Sequence, residues 1–200
     1  MQQLARDGSP RLQTSIVLAL NSPQSLSPDL QVLIDLFYDS PAELGEFDEV
    51  AAADLPEPFR GLLDHDEHMT VTVEAFHRGP VDVRVLAVHS TDMHYARKIL
   101  LTRQSDGHVV LFGLVRLNVN FLGPEVRREI ECQRVPLGRI LVEHNVLRDV
   151  RLLSLWRIRP GDELRQHFGL SQPDLCYGRT ALIYCNNVPA VELLEIVTPV

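Results

Sequence analysis

The chain is poor in cysteine and almost devoid of lysine. Its three cysteines, Cys132, Cys176 and Cys185, are odd in number and form no CxxC pair. That argues against a disulfide framework and against a structural zinc site. Lys98 is the single lysine, and every other basic side chain is arginine. Any anion site must therefore be built mainly from guanidinium groups, whose planar fork matches a carboxylate. No run of eighteen apolar residues occurs, so no membrane span is expected. The apolar patch Ile16 to Leu20 lacks the basic flank and cleavage site of a leader peptide, and the expected location is the cytoplasm. A nucleophile elbow, a P-loop and a dinucleotide glycine fingerprint are also missing.

Charge of one sign is scarce in one region. Residues 1–65 hold three arginines against eleven acids, a net of −8, whereas the remainder balances sixteen of each sign. A nucleic-acid-binding front would carry the opposite sign, and an acidic chain is a poor partner for an anionic membrane surface. The expected partner is a small molecule, with the protein a monomer or weak dimer.

Residues 1–25 read as a mobile arm, and 26–200 as one domain. Ser27 and Pro28 make a helix start before the stripe Leu30, Leu33, Ile34 and Phe37. An acidic connector and a short helix at "PFRGLLDH" follow. "MTVTVEAF" alternates and predicts a strand, paired in a hairpin with "VDVRVLAVH". "HYARKILLTR" and "HVVLFGLVRLNV" predict a second hairpin about Asp106-Gly107. "GPEVRREIECQ" and "VPLGRILVEHN" predict helices, "DVRLLSLWRIRP" a strand, and "GDELRQHFG" a short helix. "TALIYCN" and "AVELLEIVTP" close the chain as a hairpin. Mostly hairpin connections imply an α+β domain. Its antiparallel sheet is expected to have six or seven strands, with helices covering one face.

Three features point to chemistry. Arg97 and Lys98 are adjacent in a strand and so face opposite ways, which sends one cation to the covered side. A buried cation there needs an anion, either an internal acid or a bound carboxylate. Glu192 and Glu195 are three apart in the last strand and also fall on opposite faces. One can reach water, and the other needs a partner inside. Pro136 at a helix start leaves the amides of Leu137 and Gly138 without intrahelical acceptors, and such amides bind carboxylates. His65 and His68 in "DHDEH" have a spacing that suits a metal, but no third ligand follows at a recognisable spacing. A solvated connector is the better reading, and no metal is expected.

From Met69 to Pro199 the motifs "MTVTVEAF", "YARKILL", "PLGRIL" and "YGRTALIYCNNVPAVELLEIVTP", in that order, resemble the chorismate pyruvate-lyase (4-hydroxybenzoate synthase) family. The resemblance implies a six-stranded antiparallel sheet whose helices close over a ligand site. It also implies elimination of pyruvate from chorismate to give 4-hydroxybenzoate, with neither metal nor redox cofactor. By the same resemblance Arg97 grips the ligand carboxylate, the Leu137 amide binds the same group with Gly138 beside it, and Arg116 is a second pocket arginine. Glu192 then stands at the far end as the acid that assists departure of the ether oxygen. The closing hairpin is also similar to effector-sensing domains of one class of bacterial transcription regulators. The alternative is therefore a non-catalytic binder of small aromatic or carboxylic acids.

Overall fold

The protein is described by a computed structural model covering residues 30–144, 148–171 and 174–199. The expected arm, Ser27 and Pro28 lie outside the described residues. Seven strands form one sheet: β1 (Gly45–Val50), β2 (Val81–Ser90), β3 (His94–Arg103), β4 (Val109–Asn118), β5 (Arg148–Pro160), β6 (Cys176–Cys185) and β7 (Val188–Val197). Their order is β1-β5-β6-β7-β4-β3-β2, and every neighbouring pair is antiparallel. This is the α+β antiparallel class that the hairpin pattern implies. The β6–β7 turn places Asn186 and Asn187 at φ 52° and 66°, the left-handed pair that a two-residue hairpin needs and that asparagine tolerates.

Two segments depart from the sequence reading. The "acidic connector" supplies β1, which pairs with β5 along its whole length. The segment "MTVTVEAF" is not a strand but helix α4 (Met69–His77). Its alternation is a β-like pattern, yet the buried positions are Met69, Thr70 and Val73, a helical spacing. Arg78 takes the left-handed conformation at φ 55° and the Gly79 amide donates to the Glu74 carbonyl at 3.1 Å, which closes the helix end. Strand β2 consequently pairs with β3 alone and forms one edge of the sheet.

The other helices are α1 (Leu30–Asp35), α2 (Pro41–Leu44), α3 (Phe59–Leu63), α5 (Pro124–Glu131), α6 (Leu137–Glu143) and α7 (Asp162–Phe168). They lie on both faces of the sheet, not on one. On the first face, Leu33, Ile34, Leu164 and Phe168 of α1 and α7 pack on Leu100, Phe112, Leu114, Leu194 and Ile196. On the second face the core is split. Helices α5 and α6 pack on Val115, Leu117, Ile183 and Leu193. Helices α3 and α4 pack on Ile99, Leu101, Leu111 and Val197. Among the described residues no helix is long and apolar enough to cross a membrane.

Gly161 joins β5 to α7, and its amide donates to the Leu44 carbonyl at 2.8 Å. A Cβ there would fall inside the van der Waals envelope of the Glu43 carbonyl. Gly161→Ala is expected to destabilise the fold by about 1–3 kcal/mol through overpacking. A urea midpoint equal to that of the unaltered protein would count against this tight junction.

Candidate functional site

The two clusters of the second face part around a cavity. Its floor is the sheet, with Arg97 and Ile99 from β3, Gly113 and Val115 from β4, Leu193 and Glu195 from β7, and Arg179 from β6. Its roof is the start of α4, with His68, Met69 and Thr70, and the start of α6, with Pro136, Leu137 and Gly138. Two devices hold the roof together. Arg139 of α6 forms an ion pair with Glu74 of α4. The Val81 amide donates to the same Glu74 carboxylate at 3.0 Å. Gly113 keeps the floor low, since a Cβ there would sit 3.1 Å from Ile99 Cγ1.

Strand alternation decides which charges enter. Lys98 faces the first side, where its Nζ donates to Glu163 Oε1 at 2.8 Å and lies 4.6 Å from the Tyr38 ring centre. Arg97 faces the cavity and is 0% exposed. Among the described residues, none of its three guanidinium nitrogens has a hydrogen-bond partner. Burial holds its pKa below the ordinary arginine value, and the nearby Tyr95 acts in the opposite sense. A cation so placed costs several kcal/mol until an anion meets it.

Glu192 and Arg116 do not enter the cavity. They stand opposite each other in register on β7 and β4 and form an ion pair on the first face, with Arg116 Nη2 donating to Glu192 Oε1 at 2.8 Å. This corrects the expectation that Glu192 is the acid at the far end of the pocket and Arg116 its second arginine. Period-two alternation sends both to the side away from Arg97. Glu195 is the acid that lines the cavity. The residues beside each acid do not distinguish the two faces, since Val191, Leu193 and Val197 on the side of Glu195 and Ala190, Leu194 and Ile196 on the side of Glu192 are all buried.

Arg179 was missed by the sequence reading. It is 0% exposed, and each of its guanidinium nitrogens is committed. Nε donates to Glu195 Oε2 at 2.8 Å, Nη1 to the His65 carbonyl at 2.8 Å, and Nη2 to the Glu67 carbonyl at 2.9 Å. Nη1 also lies 3.2 Å from His65 Nδ1. The "DHDEH" connector is thus pinned to the sheet, and Asp66 adds a bond from the Leu152 amide at 3.0 Å. Only the buried "YGRTALIY" strand carried a signal for Arg179, a charge inside an apolar run.

Leu137 and Gly138 line the cavity beside Arg97. They open helix α6, where the first amides have no intrahelical acceptor. Among the described residues, no group of three or more His, Cys, Asp or Glu is arranged to hold a metal ion.

No family model and no curated protein matches the chain. Several solved structures are similar to it. The structure of PhnF from Mycobacterium smegmatis matches at 11% identity over 67% of this chain and 64% of that one, with a TM-score of 0.47. A GntR-family transcriptional regulator from Bacillus cereus matches at 14% identity over 60% of this chain and 92% of the other, with a TM-score of 0.41. The C-terminal domain of the histidine utilization repressor from Pseudomonas syringae matches at 7% identity over 59% and 91%, with a TM-score of 0.40. Likeness at this level carries nothing about ligand or activity, so function is read from the cavity.

His65 supplies a pH dependence. Its Nε2 lies 2.8 Å from the Leu62 carbonyl, and its Nδ1 accepts from the Glu67 amide at 3.1 Å. These partners select the neutral tautomer protonated at Nε2. Burial, followed by the Arg179 charge, lowers its pKa from the ordinary 6.5. The unfolded chain therefore takes up this proton first as pH falls. The contribution to stability is present above about pH 6.5 and is lost below it. His65→Gln is expected to reduce the fall in Tm between about pH 7.5 and pH 5.5. An unchanged fall would place the acid sensitivity elsewhere.

Proposed function

We propose that this protein is a binding module for a small organic acid, taken up in the cavity between α4, α6 and the sheet. The observation that carries this reading is Arg97, a fully buried guanidinium without a hydrogen-bond partner among the described residues. Structural arginines buried this deeply are paired, as Arg179 is in the same cavity. An arginine left open beside empty space is arranged for an anion that arrives from outside. A carboxylate suits it best, since two parallel N–H bonds match its two oxygens. The amides of Leu137 and Gly138 are the second element proposed to hold the same carboxylate. Ile99, Leu101, Leu111, Val115, Ile183 and Leu193 supply an apolar wall for the ligand body.

Elimination of pyruvate from chorismate is the second reading. One observation favours it: a carboxylate, Glu195, lines the same cavity as Arg97. The register places the two residues two strands and two positions apart, about 12 Å between Cα atoms. That separation leaves room for a ring between a carboxylate grip and an acid. Glu195, rather than Glu192, takes the acid role in this reading, and it would have to act while bonded to Arg179. Binding without turnover asks nothing of that bond and is the preferred reading.

Calorimetric titration with 4-hydroxybenzoate tests the main reading. Binding is expected in the unaltered protein and is expected to weaken at least ~30-fold in Arg97→Met, as for loss of a buried charge-paired contact. The same variant is expected to melt higher, because an unpaired buried cation gives way to an apolar side chain. Equal affinity in the two proteins would remove Arg97 from the site and end this reading. Incubation with chorismate separates the second. Released pyruvate that disappears in Glu195→Gln would establish the lyase, whereas binding without pyruvate would leave the module.

A further inference from the structure

The charges that line the cavity can be counted, and the count constrains the ligand. Three lining side chains carry full charge: Arg97, Arg179 and Glu195. Arg179 and Glu195 neutralise each other through the 2.8 Å bond from Nε to Oε2. The remaining nitrogens of Arg179 are turned to the carbonyls of His65 and Glu67. Each nitrogen of that cation thus already has an acceptor within the protein. Among the described residues the cavity therefore holds a single uncompensated positive charge, on Arg97.

From this we infer that the cavity selects acids with one negative charge and an apolar body, and rejects acids with two. The inference rests on the binding reading above and narrows it. A first carboxylate cancels the Arg97 charge and satisfies its donors. A second carboxylate on the same ligand would lie either against the apolar wall or near Glu195. The wall offers it no donor, and the closed Arg179–Glu195 pair offers it no net positive charge. The protein's net charge of −8 adds a weak long-range preference in the same direction. Glu195 is suited instead to accept a hydrogen bond from a hydroxyl or amide at the far end of the ligand, which adds polarity without charge.

The test compares acids matched in shape but not in charge. Benzoate serves as reference, 4-nitrobenzoate is paired with terephthalate, and 3-nitrobenzoate with isophthalate. Each is titrated calorimetrically into the full chain at about pH 8, above the ordinary histidine range. Each dicarboxylate is expected to bind at least ~100-fold more weakly than its nitro partner, because its second charge is buried without a counterion. A dicarboxylate that equals or exceeds its nitro partner overturns the inference. Exclusion of both members of a pair makes size the filter and overturns it too. Glu195→Gln provides an independent arm, since it leaves Arg179 uncompensated and raises the cavity to two positive charges. The gap between terephthalate and 4-nitrobenzoate is expected to shrink at least tenfold in that variant. A gap that does not move refutes the charge count. Failure of benzoate itself to bind, or benzoate binding that survives Arg97→Met, defeats the underlying binding reading instead.

Discussion

A guanidinium with no counterion among the described residues, shut inside the sheet's second face, is the constraint around which this molecule is arranged. Most of the second face is an ordinary apolar core, and continuing that core across Arg97 would have been the more stable solution. Instead the core divides into two clusters, one under α5 and α6 and one under α3 and α4, with the cavity between them. The unpaired cation and the unfilled space are two aspects of the same arrangement. Each costs stability when the cavity is empty, and a bound acid offsets both.

The two buried arginines show how context divides one residue type into two uses. Arg179 is a structural tie, joining Glu195 on β7 to the backbone of the connector before α4. Through that connector it sets where His68, Met69 and Thr70 enter the roof. Arg97 is left with its donors free. Had Glu195 been within reach of Arg97 rather than Arg179, the cavity would hold a closed ion pair and no means of gripping an anion. The neighbouring strand of β7 decides this: Glu195 stands beside Arg179 of β6 in the register, whereas its partner on β4 is Gly113.

The opposite face carries a parallel lesson. Lys98 finds Glu163 of α7, and Arg116 finds Glu192 directly across the β4–β7 ladder. Both pairs sit where side chains still reach water, so they ask little of the fold and offer little to a ligand. Had helices covered only one face, Lys98 would have had no α7 acid to meet. Helices α1 and α7 instead close the first face over Leu100, Phe112 and Leu194, leaving the charged residues at its margin.

Short-range order was legible in the residues themselves. Strands β2 to β7, the hairpin turns at Gly107 and Asn186-Asn187, helices α5, α6 and α7, and the inward turn of Arg97 or Lys98 follow from period, caps and turn chemistry. These depend only on a residue's near neighbours in the chain. What failed was everything that depends on a distant partner. "MTVTVEAF" alternates like a strand, but it forms a helix whose first residues cover the cavity, and β2 is left as an edge of the sheet. The acids before residue 50 look like solvated linker until β5 offers them a ladder. The choice between Glu192 and Glu195 needed the face that holds the cavity to be known. Sequence alone determined that one strand would carry a cation inward, since side chains alternate at every residue. Only the tertiary structure decided that this cation is Arg97 and that it stays unpaired, because pairing depends on which strands lie side by side.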